Sequence, residues 1–260
     1  MPDSESYQNK KAFFDRVLTL YGRNAVREAL TDRSLECHCL HLASSNRDTT
    51  KVDQISALAD KRGISVKYHS RVELARISKN GKQDQGVALD IVCPEFRTLD
   101  NFLKEVSTEQ RLRLLALDGI TNPQNLGMIV RSAAAGRIDG ILWSSRGNAA
   151  LGPLVIKASA GTLYRAPMLL CSDLVDALSA CRALGMDICT LEANAQESLF
   201  ARRESNQSIF VLGNESDGVS DAVKRIASTA VSIPMNNAVE SLNVAVAASL
   251  IAYAGDLKES

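Results

Sequence analysis

What the chain lacks narrows its reading first. Over 260 residues there is no surplus of either charge, with Lys+Arg 30 set against Asp+Glu 30, so nothing global announces an anionic or a cationic partner. No apolar run combines the length and the freedom from charge needed to span a bilayer, and the opening stretch MPDSESYQNKK is polar with no apolar core behind it. The expectation is a cytoplasmic protein with a loose tail over residues 1–17 and no membrane association. The six cysteines (Cys37, Cys39, Cys93, Cys171, Cys181 and Cys189) contain no C-x-x-C pair, which predicts reduced, mostly buried thiols and no disulfide framework. In Cys37-His38-Cys39-Leu40-His41, strand alternation sends His38 to the face opposite the other three, so no metal is expected. No G-x-G-x-x-G follows a strand. The G-x-x-x-x-G after the strand at 209–212, from Gly213 to Gly218, continues into Val219-Ser220 where a phosphate loop requires Lys and then Ser or Thr. Dinucleotide folds and phosphate-loop hydrolases are disfavoured by those absences.

What is present describes a folded chain. A hydrophobic content of 45% in 260 residues supports one large domain or two modest ones. The first part alternates: a helix to about Leu30, a strand over 37–43, a helix over 52–61 stopped by Gly63, a strand over 64–68, a short helix from Arg71 and a strand over 87–92. This is a small α/β domain over 18–94. Residues 95–110 are charged, with one short helical pattern, and are expected to form a linker. Alternation restarts over 111–260, with strands at 112–117, 140–143, 187–191, 209–212 and 231–233 and helices at 123–135, 154–159, 174–184, 220–226 and from about 241. Strands alternating with helices predict a mostly parallel sheet covered on both faces, with ligands at the carboxyl ends of its strands.

Local charge is more informative than the total. Between Lys61 and Lys82 the basic residues Lys61, Arg62, Lys67, Arg71, Arg76, Lys79 and Lys82 face the single acid Glu73. Such a run suits a phosphate backbone, and it equally suits a solvated helix face.

The rule of strand ends singles out three loops, 118–124, 213–219 and 234–241. The first carries Asn125 and, six residues on, Arg131 among small residues. Six helical steps leave the two about 240° apart, so they do not share a face. The last loop leads into a run with no charge between Glu240 and Asp256, where Leu242, Val244, Val246, Leu250 and Ile251 cover the whole circumference of a helix. That pattern predicts a helix buried on all sides, with Ser241 and Asn243 in its first turn.

Taken together, the three loops resemble the SpoU-type branch of the SPOUT RNA methyltransferases. The resemblance rests on N-x-G-x-x-x-R in Asn125 to Arg131, on Gly213-Asn214-Glu215, and on Ile233-Pro234-Met235 followed by S-L-N-V-A-V-A from Ser241 to Ala247. YGRNAVREAL near the N-terminus and DQGVAL from Asp84 look like the ribosomal-protein-like RNA-binding domain many members carry. The resemblance implies an α/β fold whose C-terminal domain, 111–260, is a trefoil-knotted SPOUT sheet acting as a homodimer. It also implies transfer of a methyl group from S-adenosylmethionine to a ribose 2′-hydroxyl of RNA, ribosomal RNA favoured and transfer RNA possible. Carried across, Arg131 is central, Asn125, Glu215, Ser241 and Asn243 orient it, and Gly213, Ile233, Met235 and Leu242 hold the cofactor. The chain departs from the family pattern at Ser216 and at Asn237, where glycines are usual. A non-catalytic RNA-binding assembly factor on the same scaffold, or a nucleotide-binding regulatory domain, are the rival readings.

Overall fold

The computed structural model describes residues 13–46, 49–107, 109–203 and 205–258, and it divides into two compact units: residues up to 94 with 151–153, and residues 95–150 with 154 onward. The expected N-terminal tail lies outside the described residues as far as residue 12. Its end is overtaken by a strand that begins at Val17.

In the first unit β1 (Val17–Tyr21), α1 (Arg23–Thr31), β2 (Glu36–Ala43), α2 (Thr49–Lys61), β3 (Ser65–His69), α3 (Arg71–Ser78) and β4 (Val87–Val92) build a sheet in the order β1-β4-β2-β3, antiparallel except for the β2/β3 pair. Gly22 separates β1 from α1 with φ 91, a conformation open to glycine and strained for other residues, and so divides what the periodicity reads as one helix. Register in β2 shifts between Cys37 and Cys39. Cys37 faces Ile91 and Cys39 faces Asp90, so the two cysteines point to opposite sides and the simple alternation expected for this run does not hold.

Both ring nitrogens of His41 are engaged: Nδ1 lies 2.9 Å from His69 Nε2, and Nε2 lies 3.0 Å from Asp90 Oδ2. Thr19 donates to the other Asp90 oxygen at 2.7 Å. Burial alone would raise the Asp90 pKa, but the hydrogen bonds from His41 and Thr19 outweigh it and hold the carboxyl below its usual value. His69 is also shifted down, first by burial and then by the charge of His41.

The second unit comprises β5 (Arg97–Thr98), α4 (Leu99–Glu105), β6 (Leu112–Leu117), α5 (Pro123–Ala135), β7 (Gly140–Ser144), α6 (Pro153–Ala158), a 3-10 turn (Thr162–Arg165), β8 (Met168–Cys171), α7 (Leu174–Ala183), β9 (Asp187–Leu191), β10 (Glu197–Ser198), β11 (Gln207–Leu212), α8 (Asp221–Lys224), β12 (Thr229–Ser232) and α9 (Val244–Lys258). The strands form one sheet, β10-β12-β9-β11-β6-β7-β8-β5, parallel at every pairing. β6 and β11 are buried at every position, as strands covered on both faces must be. One face packs α7 and α4 through Leu174, Leu178, Cys181 and Leu99. On the other, α5 and α9 lie close enough that Arg137 N donates to Ala252 O at 3.0 Å and a Cβ on Gly136 would stand 2.8 Å from Ala252 Cβ. Arg113 of β6 is buried there, 5.0 Å from the Phe210 ring centroid and donating to Ala252 O.

Three expectations need correction. Residues 95–110 are no free linker: β5 pairs with β8, and α4 buries Leu99 against the core, because its few apolar residues fall on one side of a helix capped by Thr98. α9 is not buried all round, since Val246 and Tyr253 are exposed while Ala245, Ala247, Ala248 and Ile251 pack inward. The helix also begins later than expected: Asn243 is its cap, its Oδ1 accepting from Ala245 N at 2.9 Å, and Ser241 precedes it. The strands β1, β5, β8 and β10 are too short or too close to polar turns for periodicity to reveal. All six cysteines are unbridged, and burial pushes the thiols of Cys93 and Cys181 up to about 12 and that of Cys171 up to about 11, keeping them protonated and inert.

The His41 cluster carries a pH prediction. A lowered His69 pKa means that the folded unit binds fewer protons than the unfolded chain, so stability falls as pH drops through the unfolded histidine value of about 6.5. The lowered Asp90 pKa adds a second loss as pH falls below the unfolded carboxylate value, about 3.9. Hydrogen exchange in the intact chain, corrected for intrinsic rate, is expected to show β2 and β3 amides less protected at pH 5 than at pH 7, and His69→Gln is expected to flatten that difference. Equal protection at the two pH values in the unsubstituted protein would contradict the assignment.

Candidate functional site

A cleft of about 170 Å³ opens at the carboxyl ends of β9, β11 and β12. Leu191, Leu212, Ile233, Val244 and Ala247 make its floor, and Glu192, Asn214, Glu215, Glu240 and Ser241 stand around them. The lining holds three carboxylates and no Lys or Arg. An apolar floor with a few convergent polar groups is the ordinary composition of a small-molecule site, and this rim favours a ligand carrying positive charge.

Local rules explain why the chain opens there. After β11, Gly213 runs so close to the returning strand that a Cβ would lie 2.1 Å from Gly218 C and Val219 N. Only glycine permits that approach. Asn214 and Gly218 exchange two backbone hydrogen bonds at 2.9 Å, and Asn214 Oδ1 accepts from Ser216 N at 2.8 Å, so serine at 216 sits in a closed turn without strain. After β12, Pro234 ends the strand, and Asn237 and Ala238 both take left-handed backbone with φ 58 and φ 57. Asparagine tolerates that conformation. Alanine does so less readily, and the neighbouring strain at Ala238 was not foreseen.

The loop after β6 leads into α5, which starts with Asn122 accepting from Gln124 N at 2.8 Å and Pro123 in the first turn. It is tied to the β11 loop twice: Asn214 Nδ2 donates to Gly119 O, and Ser220 N to Asp118 Oδ2, both at 2.7 Å. Asn125, 5% exposed, links all three expected loops. Its amide nitrogen donates to Glu215 Oε1, and its Oδ1 accepts from Asn243 Nδ2 at 3.2 Å. The motif glycine Gly127 has a packing role, since a Cβ there would meet Ala158 Cβ at 2.5 Å and Val155 O at 2.6 Å.

The structure thus gathers most of the residues singled out from sequence. Gly213, Ile233, Met235, Leu242, Glu215 and Ser241 line the cleft. Asn125 and Asn243 stand behind Glu215 and fix it. Arg131 is not among the lining residues: it is exposed, on the far side of α5 from Asn125 as helix geometry requires, with no hydrogen bond or ion pair among the described residues. The part sequence reasoning missed is the end of β9, Leu191-Glu192-Ala193, which supplies one wall. The strand itself was legible, and the rule of strand ends applied equally to it.

Two family models match the chain: the SpoU rRNA Methylase family over residues 113–253, and RNA 2′-O ribose methyltransferase substrate binding over residues 19–96. The chain is 33% identical over 239 residues to a Mycolicibacterium vanbaalenii protein described as an uncharacterized tRNA/rRNA methyltransferase, a match spanning 91% of this chain and 75% of that protein. Among solved structures, the SpoU methyltransferase AviRb from Streptomyces viridochromogenes in complex with the cofactor AdoMet superposes with a TM-score of 0.60 at 19% identity, covering 100% of this chain and 95% of that one. An AdoMet bound rRNA methyltransferase from Sinorhizobium meliloti gives a TM-score of 0.60, also at 19% identity, over 98% of this chain and 91% of that one. At such identity the likeness is one of fold.

The amide link can be tested directly. Asn125→Asp replaces the donor to Glu215 with a second carboxylate and is expected to cost about 1–3 kcal/mol in denaturant unfolding. Adding Glu215→Gln restores a donor to the pair and is expected to recover most of that loss. Strict additivity of the two substitutions would show that the residues are not coupled.

Proposed function

Since the chain belongs to the SpoU rRNA methylase family, we propose that it transfers a methyl group from S-adenosylmethionine to a ribose 2′-hydroxyl of structured RNA, with ribosomal RNA favoured over transfer RNA. The observation that carries this reading is the cleft: an apolar floor ringed by Glu192, Glu215 and Glu240, without a cation, suits a sulfonium compound and repels a nucleoside phosphate. The same charge pattern disfavours a nucleotide-binding regulatory domain.

When bound, S-adenosylmethionine supplies an electrophilic methyl group on sulfur. The chain's own residues must then hold and align the reactants. Gly213, Ile233, Met235 and Leu242, which line the cleft, would hold the cofactor with apolar surface and strand-end backbone. Asn125, itself held by Asn243, fixes the Glu215 carboxylate at the mouth, and Ser241 borders the same opening. Arg131, six residues along α5 from Asn125, is displaced by about 9 Å along the axis, a span of two or three stacked nucleotides at about 3.4 Å each. A guanidinium hardly deprotonates, so its role is that of a cation holding an RNA phosphate two or three nucleotides from the target and keeping the ribose in register with the methyl donor.

On this reading the segment after β12 threads the trefoil knot of the fold and the protein works as a cytoplasmic homodimer. Exposed Val246 and Tyr253, at i and i+7 on α9, offer the apolar stripe for a second copy. The alanines between them, Ala247, Ala248 and Ala252, are buried within their own subunit. No helix of the described residues is long and apolar enough to cross a membrane.

Arg131→Ala is expected to lower methyl transfer to RNA by on the order of a hundredfold or more, while S-adenosylmethionine affinity by calorimetry stays within about twofold. Unchanged turnover removes Arg131 from the reaction, and absence of S-adenosylmethionine binding to the unsubstituted protein removes the enzyme reading itself.

A further inference from the structure

The basic run at 61–82 separates into two groups once the fold is known. Arg62 donates to the carbonyls of Ala29, Leu30, Asp32 and Leu35, closing the end of α1, and Arg71 pairs with buried Asp84 at 3.4 Å. Those two belong to the fold. The side chains of Lys61, Lys67, Arg76, Lys79 and Lys82 are exposed and make no hydrogen bond or ion pair among the described residues. The only acid in the run, Glu73, is occupied by the capping box of α3, accepting from Ser70 N at 2.8 Å.

Within this positive surface stand two exposed apolar groups, Tyr68 at 67% and Val72 at 63%. β3 is an edge strand, so no neighbouring strand shields Tyr68, and the phenol has no hydrogen-bond partner among the described residues. α3 begins three residues later. Val72 and Arg76 lie on it at i and i+4, on one helical face, and Lys79 follows as its left-handed C-cap, while Leu74 and Ser78 turn inward. The capping box fixes the turn from β3 into α3, so tyrosine and cations are presented from a rigid corner. A single exposed apolar residue is ordinary, but an unpartnered ring on a sheet edge, leading into exposed cations with one acid, Glu73, among them, has the composition of a single-strand nucleic-acid surface. Unpaired bases stack on aromatic faces and the cations follow the phosphates. Paired bases have no free face to offer.

We propose that Tyr68 is a stacking platform for an unpaired base of the RNA substrate, with Lys67, Arg76 and Lys79 along the flanking phosphates. This rests on the RNA methyltransferase reading above and adds that the recognised segment is a loop or bulge.

Fluorescence anisotropy of the intact protein with a labelled RNA hairpin carrying a single-stranded loop, and with a fully paired duplex of equal length, tests it. Tyr68→Ala is expected to weaken loop binding about 5- to 100-fold with little effect on duplex binding or on the salt dependence, and Tyr68→Trp to retain it. Lys67→Ala combined with Arg76→Ala is expected to weaken both RNAs and to reduce the salt slope by about two. Circular dichroism of each variant reports retained folding. Unchanged loop affinity in Tyr68→Ala, or equal loss on loop and duplex, overturns the platform alone. Failure of the unsubstituted protein to bind either RNA overturns both this proposal and the functional reading.

Discussion

Asn125 carries hydrogen bonds to two residues that lie 90 and 118 positions further along the chain, and the arrangement of the second unit's strand-end loops depends on them. A buried primary amide left without partners costs about 1–3 kcal/mol, so its carbonyl and its amino group both demand a neighbour. Asn243 satisfies the first and Glu215 the second. Because Asn243 also caps α9 and Glu215 lies in the turn closed by Asn214 and Gly218, one side chain sets where the C-terminal helix starts and where the cleft's carboxylate stands. The ties from Asn214 to Gly119 and from Ser220 to Asp118 hold the same loops by other atoms. The cleft is therefore shaped by connections between distant segments rather than by any one motif.

Its electrostatics then select the ligand. The sequence has equal numbers of acidic and basic residues, yet the cleft lining has carboxylates alone, while exposed cations gather around Tyr68 and at Arg131. In the functional reading this segregation is what a donor that is cationic and an acceptor that is polyanionic require. Each is met by charge of the opposite sign at its own place.

Much of this was legible in the residues. β6 and β11 follow from short apolar runs, 114–117 and 209–212, and α5 from an Asn-Pro helix start, and the parallel sheet follows from their alternation. Gly213, Ile233, Met235 and Leu242 were named from motif position and do line the cleft. What escaped has physical reasons. β5 and β10 are two residues long and exist only because a longer neighbour pairs with them. The exposed face of α9 is as apolar as its buried face, so periodicity carries no sign of which side meets the sheet. The displacement of Arg131 from the cleft was implicit in helix geometry, whereas the hydrogen-bond chain through Asn125 depends on tertiary placement that spacing cannot supply.

The central claim is that the ends of β9, β11 and β12 together form the S-adenosylmethionine site. Hydrogen exchange of the intact protein with and without S-adenosylmethionine tests it most directly. The account predicts added protection in three separate segments, 191–193, 212–218 and 233–242. Protection confined to one of them, or found only outside all three, would contradict it.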